Sequence, residues 1–391
     1  MKLVLELIQS RKLVLFLITL VYASLSIYFY HKYGIKVVTD SPRYLGYAEG
    51  LKTGFYFDPL NFWYLSYVVF IYVHQIFSDN VLAIILSQYA LGFAAVLSLF
   101  RTAELLTKNR TISFLTCILF MFFPDNLFWH SYILSESVYS SFICFSVFAL
   151  IYHMKLKSRN SLLILIVSIC ITFFCKPTSP ALILAILFPS IYDFLIQPRF
   201  RILRISAFLI CTVGVMVLAN QMLTMHQVML IYSKGDIIFL MHEFTHQRFQ
   251  SLLAIDIPAN LYTPNHDTLI LSMVEFIINN PLYYFKLFSA KLIVYLTHIR
   301  PYWSLTHNLW VILTIWPCYL FSFFAIKRKL IAGTFSTIAL IYFSIHSLII
   351  SNTWVDWDAR FFVPLFPILA LFGSIGFYHI SESILVKKRS E

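Results

Sequence analysis

Charge is scarce in this sequence. Only 12% of its 391 residues are charged, against roughly 25% in an ordinary soluble domain. Hydrophobic residues make up 60% and aromatics 18%. Once the apolar runs are assigned, no soluble domain of normal size remains. No pair among the six cysteines (Cys117, Cys144, Cys170, Cys175, Cys211, Cys318) forms a CxxC, and all fall in or beside apolar runs. They read as small lipid-phase or core residues rather than a disulfide framework or metal site. A glycine-rich phosphate loop and a dinucleotide fingerprint are absent too. The first run, "LVLFLITLVYASLSIYFY" after Arg11 and Lys12, lacks a clear A-x-A cleavage site and is too long for a signal-peptide core, so it is expected to stay as a first helix.

What is present is a series of runs long enough to cross a bilayer core, which takes about 20 residues of helix. They lie near 13–30, 60–77, 81–100, 111–125, 134–153, 161–175, 180–196, 205–223, 308–326, 330–350 and 361–380. The net charge of +11 would suit a nucleic acid, but the bases are not gathered on a stretch free in water, and no nucleic-acid partner is expected. They punctuate the runs instead, at Lys2/Arg11/Lys12, Arg101/Lys108/Arg110, Lys155/Lys157/Arg159, Arg199/Arg201/Arg204, Lys327/Arg328/Lys329 and Lys387/Lys388/Arg389. All six clusters fall on the cytoplasmic side if one run before residue 101 does not span. The run to drop is 60–77, aromatic-rich and holding His74 and Gln75, expected at the outer interface or re-entrant. The fold class is therefore an all-α polytopic membrane protein of about ten transmembrane helices, with eleven as the alternative. It forms a single integral-membrane domain over 1–391, with two long outer loops at 31–80 and 224–306 carrying interfacial helices.

In this topology only five of the 18 acids (Glu6, Glu104, Asp193, Glu382, Glu391) fall inside, so carboxylates gather on the outer face and a site is expected there. Asp40 follows the first helix, with Arg43, Tyr44, Tyr47 and Glu49 at the spacing of a short helix on the membrane. The plainest role for Asp40 is the N-cap of that helix, before Ser41 and Pro42. In the next outer loop Asp125, Trp129 and His130 lie at the interface, and Asp125 and His130 are candidates to line an acceptor site or cavity. Glu136 sits where an apolar helix begins, a costly position unless the carboxylate is paired or faces a wet cavity. Lys176 stands at the outer end of a span, able to snorkel or hold a phosphate. Asp356 and Arg360, four apart, are expected to pair on a helical turn. Lys291 and His298, seven apart, should share one face of an interfacial helix at phosphate depth.

These pieces, in this order, resemble the GT-C superfamily of integral-membrane glycosyltransferases, which includes the dolichyl-phosphate-mannose protein mannosyltransferases and the lipid A aminoarabinose transferase. The matching stretches are "TDSPRYLGYAEGL", "FPDNLFWHSYILSESVYSSF", "FFCKPTSPALIL", "IINNPLYYFKLFSAKLIVYL" before "PYWSLTHN", and "DARFFVPLFPILALFG". The resemblance implies a sugar donor carried on a polyprenyl or dolichyl phosphate, and transfer on the non-cytoplasmic face to a lipid, glycan or protein acceptor. It places Asp40 and Glu136 as the catalytic carboxylates. Some members carry two adjacent acids in the first loop where this chain has Asp40-Ser41, which leaves a divalent cation as the one open cofactor. Such transfer needs a base for the acceptor hydroxyl and cations for the departing phosphate. Arg43, Lys176, Lys291 and Arg360 are the phosphate candidates. A bacterial plasma membrane with the site outside is the favoured location, and the ER membrane the alternative.

Two other classes compete. "MHEFTH" places His242, Glu243 and His246 in the HExxH spacing of a zinc protease, with Glu275 as a third ligand. The stretch sits in a loop too polar, at Lys234 and Asp236, for a buried intramembrane helix, and no GxxH follows, so these residues read instead as lining an acceptor site or cavity. A transporter or lipid flippase without chemistry would place charges inside spans and show repeated halves, and neither is evident.

Overall fold

The computed structural model describes residues 10–78, 80–196, 201–225, 228–239, 249 and 251–390. His242, Glu243 and His246 lie outside the described residues. Within them the chain is helical, and its β structure is limited to two isolated bridges, Lys36 with Tyr132 and Asp236 with Ala254. The helices are α1 Arg11–Tyr33, α2 Ser41–Gly50, α3 Pro59–Phe62, α4 Leu65–Phe77, α5 Val81–Thr107, α6 Arg110–Phe122, α7 Pro124–Phe128, α8 Ser135–Leu156 and α9 Arg159–Phe173. They continue as α10 Pro180–Ile196, α11 Arg201–Met225, α12 Val228–Lys234, α13 Leu269–Asn279, α14 Pro281–Thr297, α15 Leu305–Lys327, α16 Gly333–Asn352 and α17 Phe366–Ser390.

Among the described residues, six helical segments are long and apolar enough to cross a membrane: Arg11–Tyr33, Val81–Thr107, Ser135–Leu156, Leu305–Lys327, Gly333–Asn352 and Val363–Leu385. α6 and the segment Pro124–Ser131 pass the same test only together, bent by 60° where Pro124 interrupts the helix, as in a broken span or a re-entrant loop. Run 60–77 splits at residues 63–64. Its longer part, α4, has 13 residues, about 20 Å of helix, short of the core's thickness, as α9 with its 15 residues also is.

Local chemistry sets the ends. Ser10, Asn80, Asn109 and Ser158 each accept a backbone N–H at the start of α1, α5, α6 and α9, the usual N-cap bond. The C-terminal ends of α5 and α8 are closed by Lys108 and Lys157 in the left-handed conformation, at φ 54° and 51°.

Two compact units are formed. The first comprises 1–179, 309–336 and 363–391, the second 180–308 and 337–362. In the first, α8 and α17 are largely buried while α1 is peripheral. α17 crosses α15 closely: a Cβ on Gly376 would collide with the backbone carbonyl of Phe321, and one on Gly373 would press on Cys318. This is small-residue packing, which lets helix backbones approach in lipid. In the second unit the core forms around Tyr232, Phe276, Leu287 and Tyr295.

Candidate active site

In the first unit the chain leaving α1 runs extended and is stitched to the segment before α8. The Lys36 N–H donates to the Ser131 carbonyl (2.9 Å) and the Ile133 N–H to the Lys36 carbonyl (3.0 Å). The Ser41 hydroxyl then donates to the Ile133 carbonyl (2.8 Å) while accepting from the Val38 N–H (2.9 Å). These bonds fix the start of α2, where Asp40 stands, against the loop that delivers Glu136.

Asp40 is in the N-cap position but its side chain makes no capping hydrogen bond. The expected capping role is therefore corrected: Asp40 has helical backbone angles, φ −83° and ψ −20°, instead of the extended ones that aim a side-chain oxygen at the N2 and N3 amides. Its side chain is 38% exposed and lies 3.6 Å from the Arg43 guanidinium. Arg43 is held from the other side by the Asn61 carboxamide oxygen (3.0 Å), and Asn61 by Asp58 (3.0 Å). Its guanidinium carbon sits 4.4 Å and 4.8 Å from the ring centroids of Tyr44 and Tyr64, a cation–π clamp. Tyr44 is buried. Burial is the main cause that pushes its phenol well above the ordinary value, and Tyr64, Glu136 and Asp40 are all near enough to add to the rise against Arg43.

Glu136 occupies the first turn of α8 and forms an ion pair with Lys176; both side chains are 3% exposed. The Lys176 ammonium donates to Glu136 Oε1. Lys176 is thus turned inward on a carboxylate rather than snorkelling. Asp125 and His130, expected at the interface, are also buried. His130 Nδ1 lies 2.8 Å from the Ser137 hydroxyl, its carbonyl accepts from Gln88 (2.9 Å), and a Cβ on Gly92 would strike its ring. These contacts hold its ring in place.

The remaining candidates belong to the second unit. Lys291 and His298 do not share a helix face: Lys291 is on α14, while His298 follows its end in the left-handed conformation, φ 56°. Both are buried rather than set at the surface. The Lys291 ammonium donates to the Thr353 carbonyl (3.1 Å) and lies 4.2 Å from the Tyr232 ring centroid. Burial pushes its amine down to about 7, with Asp236 opposing the fall. Arg360 pairs with Asp356 (2.6 Å) as expected, but across an irregular turn containing Ala359 at φ 58°, not on a helix. Glu275 is bonded by His266 and by the Tyr262 hydroxyl (2.8 Å).

Arg300 was not singled out by the sequence. It is fully buried and donates to the carbonyls of Val294 (2.7 Å), Ile299 (3.1 Å) and Asp356 (3.2 Å), bracing the 356–360 turn. A lone arginine before Pro301 in an otherwise apolar stretch was the available signal. Among the described residues no group of three or more His, Cys, Asp or Glu is placed to hold a metal ion. No family model, curated protein or solved structure matches the chain.

Proposed function

We propose that this chain is an integral-membrane glycosyltransferase that moves a sugar from a polyprenyl-phosphate donor to a hydroxyl acceptor on the non-cytoplasmic face. The observation that carries the reading is the state of Asp40. Its carboxylate is not used as a cap, is partly exposed, and stands beside a clamped arginine in the loop stitched to the Glu136–Lys176 pair. A partly exposed carboxylate with a fixed cation beside it supplies the two groups that transfer from a phosphate ester needs, a base and an anchor for the leaving phosphate.

In this mechanism Asp40 takes the proton of the acceptor hydroxyl as the oxygen attacks the anomeric carbon. The bond from that carbon to the phosphate oxygen breaks, and its electron pair leaves with the polyprenyl phosphate, whose charge Arg43 meets. One displacement inverts the anomeric centre. Glu136 and Lys176, fixed on each other, hold the segment before α8 that braces the Asp40 loop, so Glu136 acts here as a positioning residue. The sequence topology goes with this reading: the six membrane-length helices plus runs 111–125, 161–175, 180–196 and 205–223 make ten spans, with α4 at the outer interface.

The test is Asp40→Asn in the full chain, reconstituted with a polyprenyl-phosphate sugar and assayed for both sugar transfer and movement of the donor across the bilayer. Loss of transfer by about a hundredfold or more, with protein yield and unfolding temperature retained, is expected. Full transfer in that variant overturns Asp40 as the base. Donor movement across the bilayer without any transfer, in the unaltered chain, would instead make it a flippase.

A further inference from the structure

We propose that Phe55, Tyr56 and Phe57 form a rigid foot inserted into the bilayer leaflet at the end of α9. The three are 70%, 47% and 63% exposed, and Leu60 beside them is exposed too. Such a run on a water-facing loop would be an unusual apolar patch, whereas aromatic rings belong at the headgroup boundary.

The loop is built to present these rings, and it is not slack. The Tyr47 hydroxyl donates to the Tyr56 carbonyl (2.6 Å), and the Tyr47 and Tyr56 rings meet edge to face at 4.7 Å. Asp58 caps α3, accepting from the amides of Leu60 (2.8 Å) and Asn61 (3.0 Å). Both ends of the turn are thereby fixed while its apolar faces stay uncovered by the described residues.

Its depth follows from what it stands on. Phe57 packs on Phe62 (5.5 Å between centroids), and Phe62 on Phe174 (5.3 Å), just past the end of α9. Trp63 meets Phe173 at 5.7 Å. The Ser66 N–H donates to the Phe174 carbonyl (2.9 Å) and its hydroxyl to that of Ile171 (2.7 Å). α9 turns Leu162, Leu163, Ile164, Ile166 and Val167 outward, the surface a spanning helix gives to lipid. These lie mostly in the N-terminal half of α9, Cys170 is exposed nearer the other end, and the foot stands past that end; the Lys52–Glu49 pair (2.8 Å) precedes it in the chain. A phospholipid leaflet is the occupant that fits, and the inference rests on the ten-span topology of the proposed reading, not on the chemistry at Asp40.

The test is a nitroxide at Phe57→Cys in a full chain also carrying Cys170→Ser and Cys211→Ser, since the other thiols are buried. It is reconstituted in phosphatidylcholine–phosphatidylglycerol vesicles, and collisions with oxygen and with a water-soluble nickel chelate are compared. Parallel labels at Leu163→Cys and Lys52→Cys report the span and the water side. Oxygen is expected to exceed nickel several-fold at 57 and 163, and the reverse at 52. Nickel access at 57 with oxygen at 163 overturns the foot alone, and nickel at both overturns the topology with it. Low access to both agents at 57 overturns it by showing a protein cover or a second copy. Phe55→Cys repeats the measurement at the more exposed neighbour should Phe57→Cys fail to fold. No sugar donor is needed, so failure of the glycosyltransferase assay is a separate result.

Discussion

At the scale of single residues, Glu136→Gln or Lys176→Met would remove one partner of an ion pair whose side chains are both 3% exposed, and each is expected to lower the unfolding temperature. Local pairs could be seen in the sequence and distant ones could not. Asp356 and Arg360, four apart, were expected together and are; Arg43 beside Asp40 is three apart and equally local. Glu136 and Lys176 are 40 positions apart, and no spacing rule joins them. The cost expected of a carboxylate at Glu136 was the only hint that a cation had to be found. Because both ions are buried, removing one leaves the other uncompensated, so each of the two single changes should cost roughly 3–5 kcal/mol, measured by unfolding in detergent. Glu136→Gln with Lys176→Met should cost less than either alone, a result that a merely crowded site would not give. Lys291 titrates with the opposite consequence to a buried acid. Its usual value is 10.5 and burial lowers it to about 7, so between these values the unfolded chain binds the extra proton. The second unit should therefore lose stability as pH falls from about 10.5 to about 7, and Lys291→Met should flatten that part of the unfolding-versus-pH curve.

Elements were more legible than residues, because apolar runs and breakers act locally. All eleven runs became helical, and Pro124 and Pro59 start new helices where prolines favour N1. Length was harder to read. Run 111–125 carries enough hydrophobicity to span but stops at Phe122 and bends 60°, and 60–77 breaks into a four-residue helix and α4. The assignment of His298 to the face of Lys291 failed because the helix ends between them, in a left-handed turn that periodicity does not register. Close helix crossings were hidden as well, since a glycine in an apolar run gives no sign of what approaches it. Gly376→Ala should separate α15 from α17 or force the carbonyl of Phe321 aside, at roughly 1–3 kcal/mol. Its check is the unfolding temperature beside that of Gly333→Ala, where a Cβ meets nothing within 4 Å.

For the whole molecule, composition carried the class and little more. The scarcity of charge foretold membrane-length helices, but the partition into two units draws each from separated stretches, which no local signal encodes. Orientation was argued from the basic clusters and has its own check. Cysteines placed at Lys157 and Arg328 in sealed, oriented vesicles should react only with permeant maleimides, and one at Lys52 with an impermeant reagent from outside. Reaction of Lys157→Cys from outside would remove one of the ten spans from the proposed topology.

The lysines at helix ends have a consequence of a different kind. Lys108, Lys157 and Lys329 adopt φ near 54°, 51° and 54°, a conformation in which glycine is at ease and any other L-residue is strained by roughly 1–2 kcal/mol. Each position therefore sets backbone comfort against a positive charge at the negative pole of a helix dipole, placed where it can instruct insertion. Lys157→Gly should accordingly give a chain that melts later once folded, yet inserts in mixed orientations while it is being made. In the proposed topology, backbone comfort and the charge of a basic cluster ask for different residues at Lys157.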